Sequence, residues 1–266
     1  MGYFAMLHRL LPLLLAATSL PVIAAESGKP LEGNDQASEQ QRLAGYGWTL
    51  YDNLFSTGES YLYSPLSHSL DSQVRLAAFD HWNDVHTGGG RSLLWQDPER
   101  GLVNAIASYL DYSTGHYYRF GAEGEWYHGS LTASGRAGYL HNTGQPGYLH
   151  NTDSFESQPF AGIDLRWYAT DNLSFQIGGE QINDVTLGKI RLEYQPRFDS
   201  FNGLSFFARA AHGSQDNEYV LGGLRYSFGQ GFGENPSLLL RDRGNPAATG
   251  VDQLSPDFKS LYYYNR

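Results

Sequence analysis

A strict alternation of apolar and polar side chains constrains the fold of this chain more than any other feature, and it recurs in segments of about ten residues. In residues 160–170, Ile163 and Trp167 fall on one face of an extended chain. Asp164 and Arg166 fall on the opposite face, because successive side chains of a strand point to opposite sides. A soluble sheet can show this pattern once or twice, but a chain that repeats it many times behind a signal peptide is typical of a transmembrane β-barrel.

The first 25 residues predict a secretory signal peptide. Arg9 precedes an apolar run over residues 10–17, and Ala24 and Ala25 supply the small side chains of a cleavage site. The alternative is a transmembrane anchor, but the run is shorter than the ~18 residues that a spanning helix needs. We therefore expect residues 1–25 to direct export and to be removed.

Composition excludes several classes of protein. The absence of cysteine rules out a lipid-modified N-terminal cysteine, a disulfide framework and thiolate metal sites. The formal net charge is −10, and loss of residues 1–25, whose only Lys, Arg, Asp or Glu is Arg9, makes it −10 − 1 = −11. An acidic chain is a poor partner for nucleic acid, because phosphate contacts need clustered Lys and Arg. A mean hydropathy of −0.44 with no other long apolar run excludes a helical membrane protein.

The alternating segments from residue 91 onward predict nine strands, eight of them clear. They cover residues 91–95, 103–109, 118–126, 131–139, 160–170, 173–180, 189–194, 204–210 and 220–228. Bacterial single-chain barrels have even strand numbers, so residues 73–79 supply a tenth strand, or else residues 91–95 lie outside a barrel of eight. The sequence therefore predicts an all-β protein, a transmembrane antiparallel up-and-down β-barrel of eight to ten strands over residues 73–228.

Residues 26–72 are predicted to form a periplasmic N-terminal segment. Leu43, Leu50 and Leu54 lie near helical spacing, which indicates one short helix in this segment.

The connections indicate which ends of the strands face outward. If Phe228 ends the last strand in the periplasm, counting back places the short turn 96–100 inside and the long connections 81–90 and 141–157 outside, as barrels of this type require. Residues 229–266 then form a periplasmic C-terminal tail. In this tail, the apolar run 238–240 and the charged residues after it either dock into the periplasmic mouth or stay flexible.

The polar face of the predicted strands carries seven basic and five acidic side chains, which a barrel would enclose. They are Arg119, Glu123, Glu125, Arg136, Asp164, Arg166, Glu180, Lys189, Arg191, Glu193, Arg209 and Arg225. One interpretation is a structural network of ion pairs that fills the lumen. The other is a narrow pore whose mildly cationic lining favours small anions.

Aromatic side chains near the predicted strand ends favour two membrane-interface girdles, although they could also fill a soluble core. They are Trp95, Tyr112, Trp126, Tyr127, Tyr139, Trp167, Tyr168 and Tyr194.

Two histidine-containing segments are candidates for a metal site or a catalytic site. The hexapeptide GYLHNT occurs at residues 138–143 and again at 147–152, which indicates a local duplication in a loop, or a metal contact made by His141 and His150 with Asp153 nearby. The spacing alone is weak evidence for a metal, and we expect no metal and no cofactor.

A second candidate lies in the connection 81–90. His81, Asp84 and His86 could activate water or a nucleophile at the outer rim of a barrel hydrolase or acyltransferase. The chain contains no recognisable enzyme signature, so we expect a solvated polar loop and no enzymatic activity.

Residues 219–228, with the sequence YVLGGLRYSF, resemble the terminal strand of bacterial outer-membrane barrels, and the phrases QDPERGLV and YRFGAEGEWY resemble those of porin-like envelope proteins. The resemblance covers roughly residues 91–228 and is to the class as a whole. It implies that Tyr226 and Phe228 form the signal that the barrel-assembly machinery reads. The chain departs from the usual pattern because residues 229–266 follow Phe228.

Together these features predict an outer-membrane protein that is porin-like or structural, with membrane lipids, the assembly machinery and small solutes as partners. One alternative is the outer-membrane hydrolase or acyltransferase described above. Another is a soluble periplasmic calycin-like barrel that binds an apolar ligand inside, which requires the apolar face of the strands to point inward.

Overall fold

A computed structural model describes residues 41–49, 55–65, 70–81, 84–97, 99–112, 115–143, 157–182, 185–197, 203–214, 218–229 and 237–244. No helix in these ranges is long and apolar enough to cross a membrane. The predicted signal peptide, residues 1–25, lies outside the described residues.

The described chain forms twelve antiparallel strands and one short helix. The strands are β1 (Gln41–Thr49), β2 (Phe55–Pro65), β3 (Leu70–His81), β4 (Asp84–Asp97), β5 (Gly101–Tyr112), β6 (Gly115–His128), β7 (Leu131–Asn142), β8 (Ser157–Thr170), β9 (Leu173–Ile182), β10 (Val185–Tyr194), β11 (Leu204–Gly213) and β12 (Glu218–Gly229). The helix, α1, is Leu238–Gly244. Each strand pairs with its neighbours in sequence, and β12 pairs with β1 from Gln41↔Gly229 to Thr49↔Leu221, which closes the barrel. Closure leaves no unpaired strand edge, as a sheet inside a membrane requires.

The predicted fold class is confirmed, but the barrel has twelve strands rather than eight to ten and begins at Gln41 rather than at residue 73. The two added strands, β1 and β2, lie in the segment predicted to be periplasmic. The prediction of a short helix in this segment is wrong at Leu43, which lies in β1. Leu50 and Leu54 lie outside the described residues. Gly45 and Gly47 occupy alternate positions of β1, so the polar half of the alternation is missing from its sequence.

The predicted outer connection 81–90 is also wrong, because β3 ends at His81 and β4 begins at Asp84. The run Gly88–Gly90 suggested a loop, but it lies within β4. Glycine is needed at Gly90, since an added Cβ would lie 2.8 Å from the Cβ of Ser108 on β5. The connection after β7 is longer, with β7 ending at Asn142 and β8 beginning at Ser157.

The barrel has two distinguishable ends. We call the end where β4 meets β5, β6 meets β7 and β8 meets β9 the proximal mouth; α1 lies there too. These three turns are short, and backbone hydrogen bonds form beside them, as in the bond from Arg100 N to Asp97 O (3.1 Å) and the bond from Tyr168 N to Ser130 O (2.9 Å). The opposite end, where β7 ends and β8 begins, is the distal mouth.

The outer face of the barrel is apolar. Ile163 is 72% exposed and lies in a band of aliphatic side chains around the middle of the wall. Aromatic side chains flank this band: Trp126, Trp167, Tyr194 and Phe206 toward the proximal mouth, and Tyr109, Phe120 and Tyr139 toward the distal mouth. Rings in two such rows are typical of membrane-interface girdles.

Two aromatic residues expected in the girdles lie elsewhere. Tyr127 and Tyr168 are buried and share the inward face of their strands with Glu125 and Arg166. Their phenol groups therefore contribute to the lumen rather than to the membrane interface.

Candidate functional site in the barrel lumen

All twelve predicted charged side chains are buried, each at most 8% exposed. They are Arg119, Glu123, Glu125, Arg136, Asp164, Arg166, Glu180, Lys189, Arg191, Glu193, Arg209 and Arg225. Each lies on the strand face opposite the exposed apolar residues, as the period of two dictates. The charges are therefore enclosed by the wall of the barrel.

One group of these side chains, the middle cluster, is centred on Glu180 of β9. Arg136 Nη2 donates to Glu180 Oε2 at 2.9 Å, and Lys189 Nζ donates to the same oxygen at 2.5 Å. Arg119 Nη2 lies 4.0 Å from Glu180 Oε1. Arg136 also donates through Nη1 to Asp164 Oδ2 at 2.9 Å. The cluster joins side chains from β6, β7, β8, β9 and β10 across the lumen.

The backbone makes room for the middle cluster at a glycine. A Cβ on Gly178 would lie 1.9 Å from Asp164 Oδ1 and 2.7 Å from the carbonyl oxygen of Ile163. Any other residue at position 178 would therefore displace the carboxylate that Arg136 binds. Arg119 stands with its guanidinium carbon 4.0 Å from the centre of the Phe160 ring, a favourable cation–π geometry.

A second group, the proximal cluster, is centred on Glu193 of β10. Arg191 Nη2 donates to Glu193 Oε2 at 2.7 Å, and Arg225 Nη1 lies 3.3 Å from both carboxylate oxygens. The hydroxyl of Ser205 donates to Glu193 Oε1 at 2.7 Å. The Glu193 carboxylate can stay charged although it is buried, because these hydrogen bonds and ion pairs compensate for the loss of hydration.

The tail helix α1 enters the proximal mouth and completes this cluster. Arg241 Nη2 donates to Glu193 Oε1 at 2.6 Å, and Arg241 Nη1 donates to Ser205 Oγ at 2.9 Å and to Gln195 Oε1 at 3.1 Å. Burial lowers the pKa of the Arg241 guanidinium, but the carboxylates of Glu193 and Asp242 outweigh burial and raise it above its usual value. Arg241 therefore stays positively charged within the mouth.

The next residue of the helix, Asp242, binds a different part of the wall. Arg166 Nη1 donates to Asp242 Oδ2 at 2.7 Å, and the hydroxyl of Tyr168 donates to the same oxygen at 3.0 Å. Arg225 Nη1 lies 3.9 Å from Asp242 Oδ1. Gln176 Oε1 accepts from Arg166 at 2.7 and 3.1 Å and so fixes the orientation of its guanidinium.

Backbone contacts attach the helix to the rim of the mouth. Leu239 N donates to the carbonyl of Asp171 at 3.0 Å, and Leu238 N donates to Asn172 Oδ1 at 3.2 Å. Arg243 Nη2 donates to the carbonyls of Gly129 (2.7 Å) and Leu131 (2.9 Å).

The two faces of the helix have different environments. Leu238 is fully buried, whereas Leu240 is 65% exposed and points away from the barrel. Of the two arrangements that the sequence left open for residues 238–243, the structure has the docked one.

Sequence reasoning missed an apolar part of the inner wall. Five buried side chains lie on the inward face near the distal mouth: Leu140, Phe160, Ile182, Leu187 and Leu221. The lumen is therefore charged in its middle and toward the proximal mouth, and apolar on these strands toward the distal one. The signal in the sequence is phase, because each of these residues shares its strand face with a charged inward residue, as Leu187 does with Lys189.

The histidine candidates do not gather into a site among the described residues. His141 is exposed on β7, and His150 and Asp153 lie outside the described ranges. His81 and Asp84 face each other in the β3–β4 register, and their side chains are not among those described. No group of three or more metal-ligating residues occurs in the part of the chain that the structure describes.

The His–Asp contact that the structure does describe near the distal mouth was not predicted. His116 Nδ1 lies 3.0 Å from Asp111 Oδ1 and 3.0 Å from the hydroxyl of Tyr109, and both members of the His–Asp pair are exposed.

Comparisons with known proteins agree with the architecture. No protein-family model and no curated protein sequence matches the chain. Among solved structures, the KdgM porin aligns at a TM-score of 0.51 with 9% identity over 71% of this chain and 99% of that one. A structure from work on the in-meso crystallization of membrane proteins aligns at 0.54 with 11% identity over 85% and 94%. An outer membrane channel from Pseudomonas putida F1 reaches 0.48 with 10% identity over 76% and 99%.

These likenesses, at such low identity, concern the fold. The closed antiparallel barrel, its apolar outer band with two aromatic rows and its charged lumen define a transmembrane β-barrel of the outer-membrane class. Within that class the fold of the chain is similar to that of the KdgM porin. The calycin-like alternative required the apolar face to point inward, whereas this face points outward.

Proposed function

We propose that this protein is a porin-like pore of the bacterial outer membrane that passes small solutes with a weak preference for anions. The observation that carries the proposal is the lumen of a closed twelve-strand barrel, whose described strands bury seven basic and six acidic side chains, Asp71 of β3 in addition to the five predicted acidic ones. Rings of charge of one sign set the selectivity of pores, so an excess of one positive group (7 − 6) on the described wall favours anions weakly.

The size of the barrel supports a narrow passage. Eight strands give an interior that side chains just fill, and 16 to 18 strands leave a wide aqueous channel. Twelve strands fall between these limits. The middle cluster and α1 both extend into this interior, so we expect a small conductance with the tail docked.

A structural envelope protein is the second candidate. It is favoured by the same ion pairs, since Glu180 and Glu193 bind basic groups from several strands and would cross-brace the wall. In this case the lumen would conduct no ions even after the tail is released.

Export and orientation are parts of the proposal. Residues 1–25 direct the chain across the inner membrane, and the aromatic rows seat the barrel in outer-membrane lipid. The proximal mouth faces the periplasm, because such barrels have their longer loops outside, and the longest connection between described strands, from Asn142 of β7 to Ser157 of β8, lies at the distal mouth. Tyr226, which is on the outward face of β12, and Phe228 of the same strand are the residues that the assembly machinery would read.

The experiment is conductance in planar lipid bilayers under a KCl gradient. Folded protein is first verified by electrophoresis, where a barrel migrates faster when unboiled. We expect small channels whose reversal potential indicates a weak preference for chloride over potassium. Folded protein that yields no channels, with and without the tail docked, would favour the structural role.

The alternative function as an enzyme needs a separate test. KdgM, compared above, is a porin, which makes a pore the simpler expectation, and activity from His81, Asp84 or His86 stays a prediction. Substitution of each by Ala should abolish any turnover of ester or acyl substrates if that prediction holds.

A further inference from the structure

We propose that the proximal mouth contains a carboxylate-binding site, formed by Arg166, Tyr168 and Arg225, which the tail residue Asp242 occupies and which a small solute carboxylate can take over. The role of this site in permeation rests on the proposed pore function. Binding of the carboxylate and release of the tail do not, and they can be measured separately.

The geometry around Asp242 is that of a ligand in a site built by the wall. One oxygen, Oδ2, accepts from Arg166 Nη1 at 2.7 Å and from the Tyr168 hydroxyl at 3.0 Å. The other, Oδ1, lies 3.9 Å from Arg225 Nη1. Charge-assisted bonds of this kind are about twice as strong as neutral ones, and arginine makes them with carboxylates and with phosphates.

The parts of this site belong to different elements. Arg166 and Tyr168 lie on β8, Arg225 lies on β12, and the supporting Gln176 lies on β9. The tail contributes the carboxylate and one further donor, Arg241, which binds Asp242 Oδ1 at 3.1 Å. A solute carboxylate would therefore meet the same wall donors after the tail has left.

Release of the tail affects the two ends of this site differently. Glu193 keeps Arg191 at 2.7 Å and Arg225 at 3.3 Å when Arg241 departs. Arg166 keeps the neutral Gln176 but loses the carboxylate of Asp242. The buried guanidinium of Arg166 therefore favours binding of another carboxylate once the tail has left.

The tail helix competes only weakly with a solute carboxylate for this site. It has seven residues, fewer than the roughly 12 to 15 that give a marginally stable helix in water. Because the tail is tethered, its effective concentration at the site is about millimolar, and a free carboxylate has to reach a similar level to displace it. The site therefore fits small carboxylates that are present at about millimolar concentration.

The test uses the full chain with one label on the tail. The protein has no cysteine, so Leu240→Cys gives a single attachment point on the exposed side of α1, where a nitroxide reports the motion of the helix. Folded protein in detergent is titrated with succinate and, at matched ionic strength, with succinamide and with chloride.

We expect succinate to convert the spectrum from slow to fast motion in a saturable way, while succinamide and chloride leave it unchanged. Asp242→Asn, which removes the ion pair with Arg166, should give fast motion before any addition. Glu99→Gln removes an exposed carboxylate at the proximal rim and should behave as the unsubstituted protein.

Two substitutions test the wall. Tyr168→Phe removes one hydroxyl and should lower the affinity for succinate, and Arg166→Gln should lower it by about tenfold or more, because a bond to a charged group contributes at least that factor. Each variant is compared only after electrophoresis verifies a folded barrel, and Tyr168→Phe serves if Arg166→Gln does not fold.

Unchanged motion with succinate, or the same change with succinamide, would overturn the proposal. Conductance separates this outcome from failure of the pore. If succinate releases the tail but the protein forms no channels, the binding site is retained and the pore is rejected. If the protein forms channels but the tail does not respond to succinate, the pore is retained and the binding site is rejected.

Discussion

Arg241 of the tail helix and Glu193 of β10 form an ion pair of 2.6 Å inside the proximal mouth, and both side chains are fully buried. The pair joins a segment that follows the last strand to the wall of the barrel. The Glu193 carboxylate also accepts hydrogen bonds from Arg191, Arg225 and Ser205. Glu193 therefore binds side chains of the wall and of the tail at the same time.

Glu193→Gln should destabilise the barrel strongly. The amide cannot neutralise the guanidinium groups that face Glu193, and breaking a buried pair in this way costs about 3–5 kcal/mol. The expected result is a lower urea midpoint for the loss of the unboiled, fast-migrating form. Glu99→Gln provides the control, because this exposed carboxylate should change stability by no more than about 0.5 kcal/mol. Equal midpoints for the two variants would contradict the role given to Glu193.

Ile163→Arg tests whether the outer face contacts lipid. Ile163 is exposed in the middle of the apolar band, and an arginine on the lipid face of a barrel costs about 2–4 kcal/mol near the bilayer midplane. We expect poor folding into lipid vesicles and a lower urea midpoint there. The same substitution on a water-exposed surface would change stability by no more than about 0.5 kcal/mol, which is the result expected of a soluble barrel.

The strands that the sequence predicted are those in which apolar side chains on one face alternate clearly with polar or charged side chains on the other. Residues 160–170 show a clean period of two and lie within β8. The phase of that period also placed Asp164 and Arg166 on the buried face, where the structure has them. Tyr168 shares this phase and is buried in the lumen, although its aromatic ring near a strand end predicts a place in a girdle. The phase of the alternation is therefore a better guide to the lumen than residue type.

Partners in the lumen could not be read from the sequence. Arg136 and Glu180 meet because β7 and β9 lie on either side of β8 in a particular register, and the alternation fixes only the face of each strand. The same limit applies to the tail, where neither Arg241 nor Asp242 belongs to an alternating segment. Strand β1 was missed for a local reason, because glycine at positions 45 and 47 removes one half of its pattern.

Gly178→Ala should loosen the middle cluster. The added Cβ would lie 1.9 Å from Asp164 Oδ1, so the carboxylate has to move away from Arg136. Overpacking of this kind costs about 1–3 kcal/mol, measured as a lower urea midpoint. Gly188→Ala is a matched control in the next strand, because its Cβ would lie 3.6 Å from the carbonyl oxygen of His212, an ordinary contact. A similar loss in both variants would indicate a general effect of strand glycines rather than displacement of Asp164.

Lys189→Gln should reduce the preference for anions if the pore conducts. Lys189 lies in the middle cluster with its Nζ 2.5 Å from Glu180, so its removal changes the buried charges of the described wall from seven basic and six acidic groups to six of each. We expect the reversal potential under a KCl gradient to move toward that of a non-selective pore. The change should be larger near 0.1 M than near 1 M salt, because the screening length falls from about 10 Å to about 3 Å. Arg100→Gln removes the same charge from an exposed turn outside the lumen and should have a smaller effect. Equal shifts for the two variants would mean that charge at the mouth, rather than in the middle cluster, sets the selectivity.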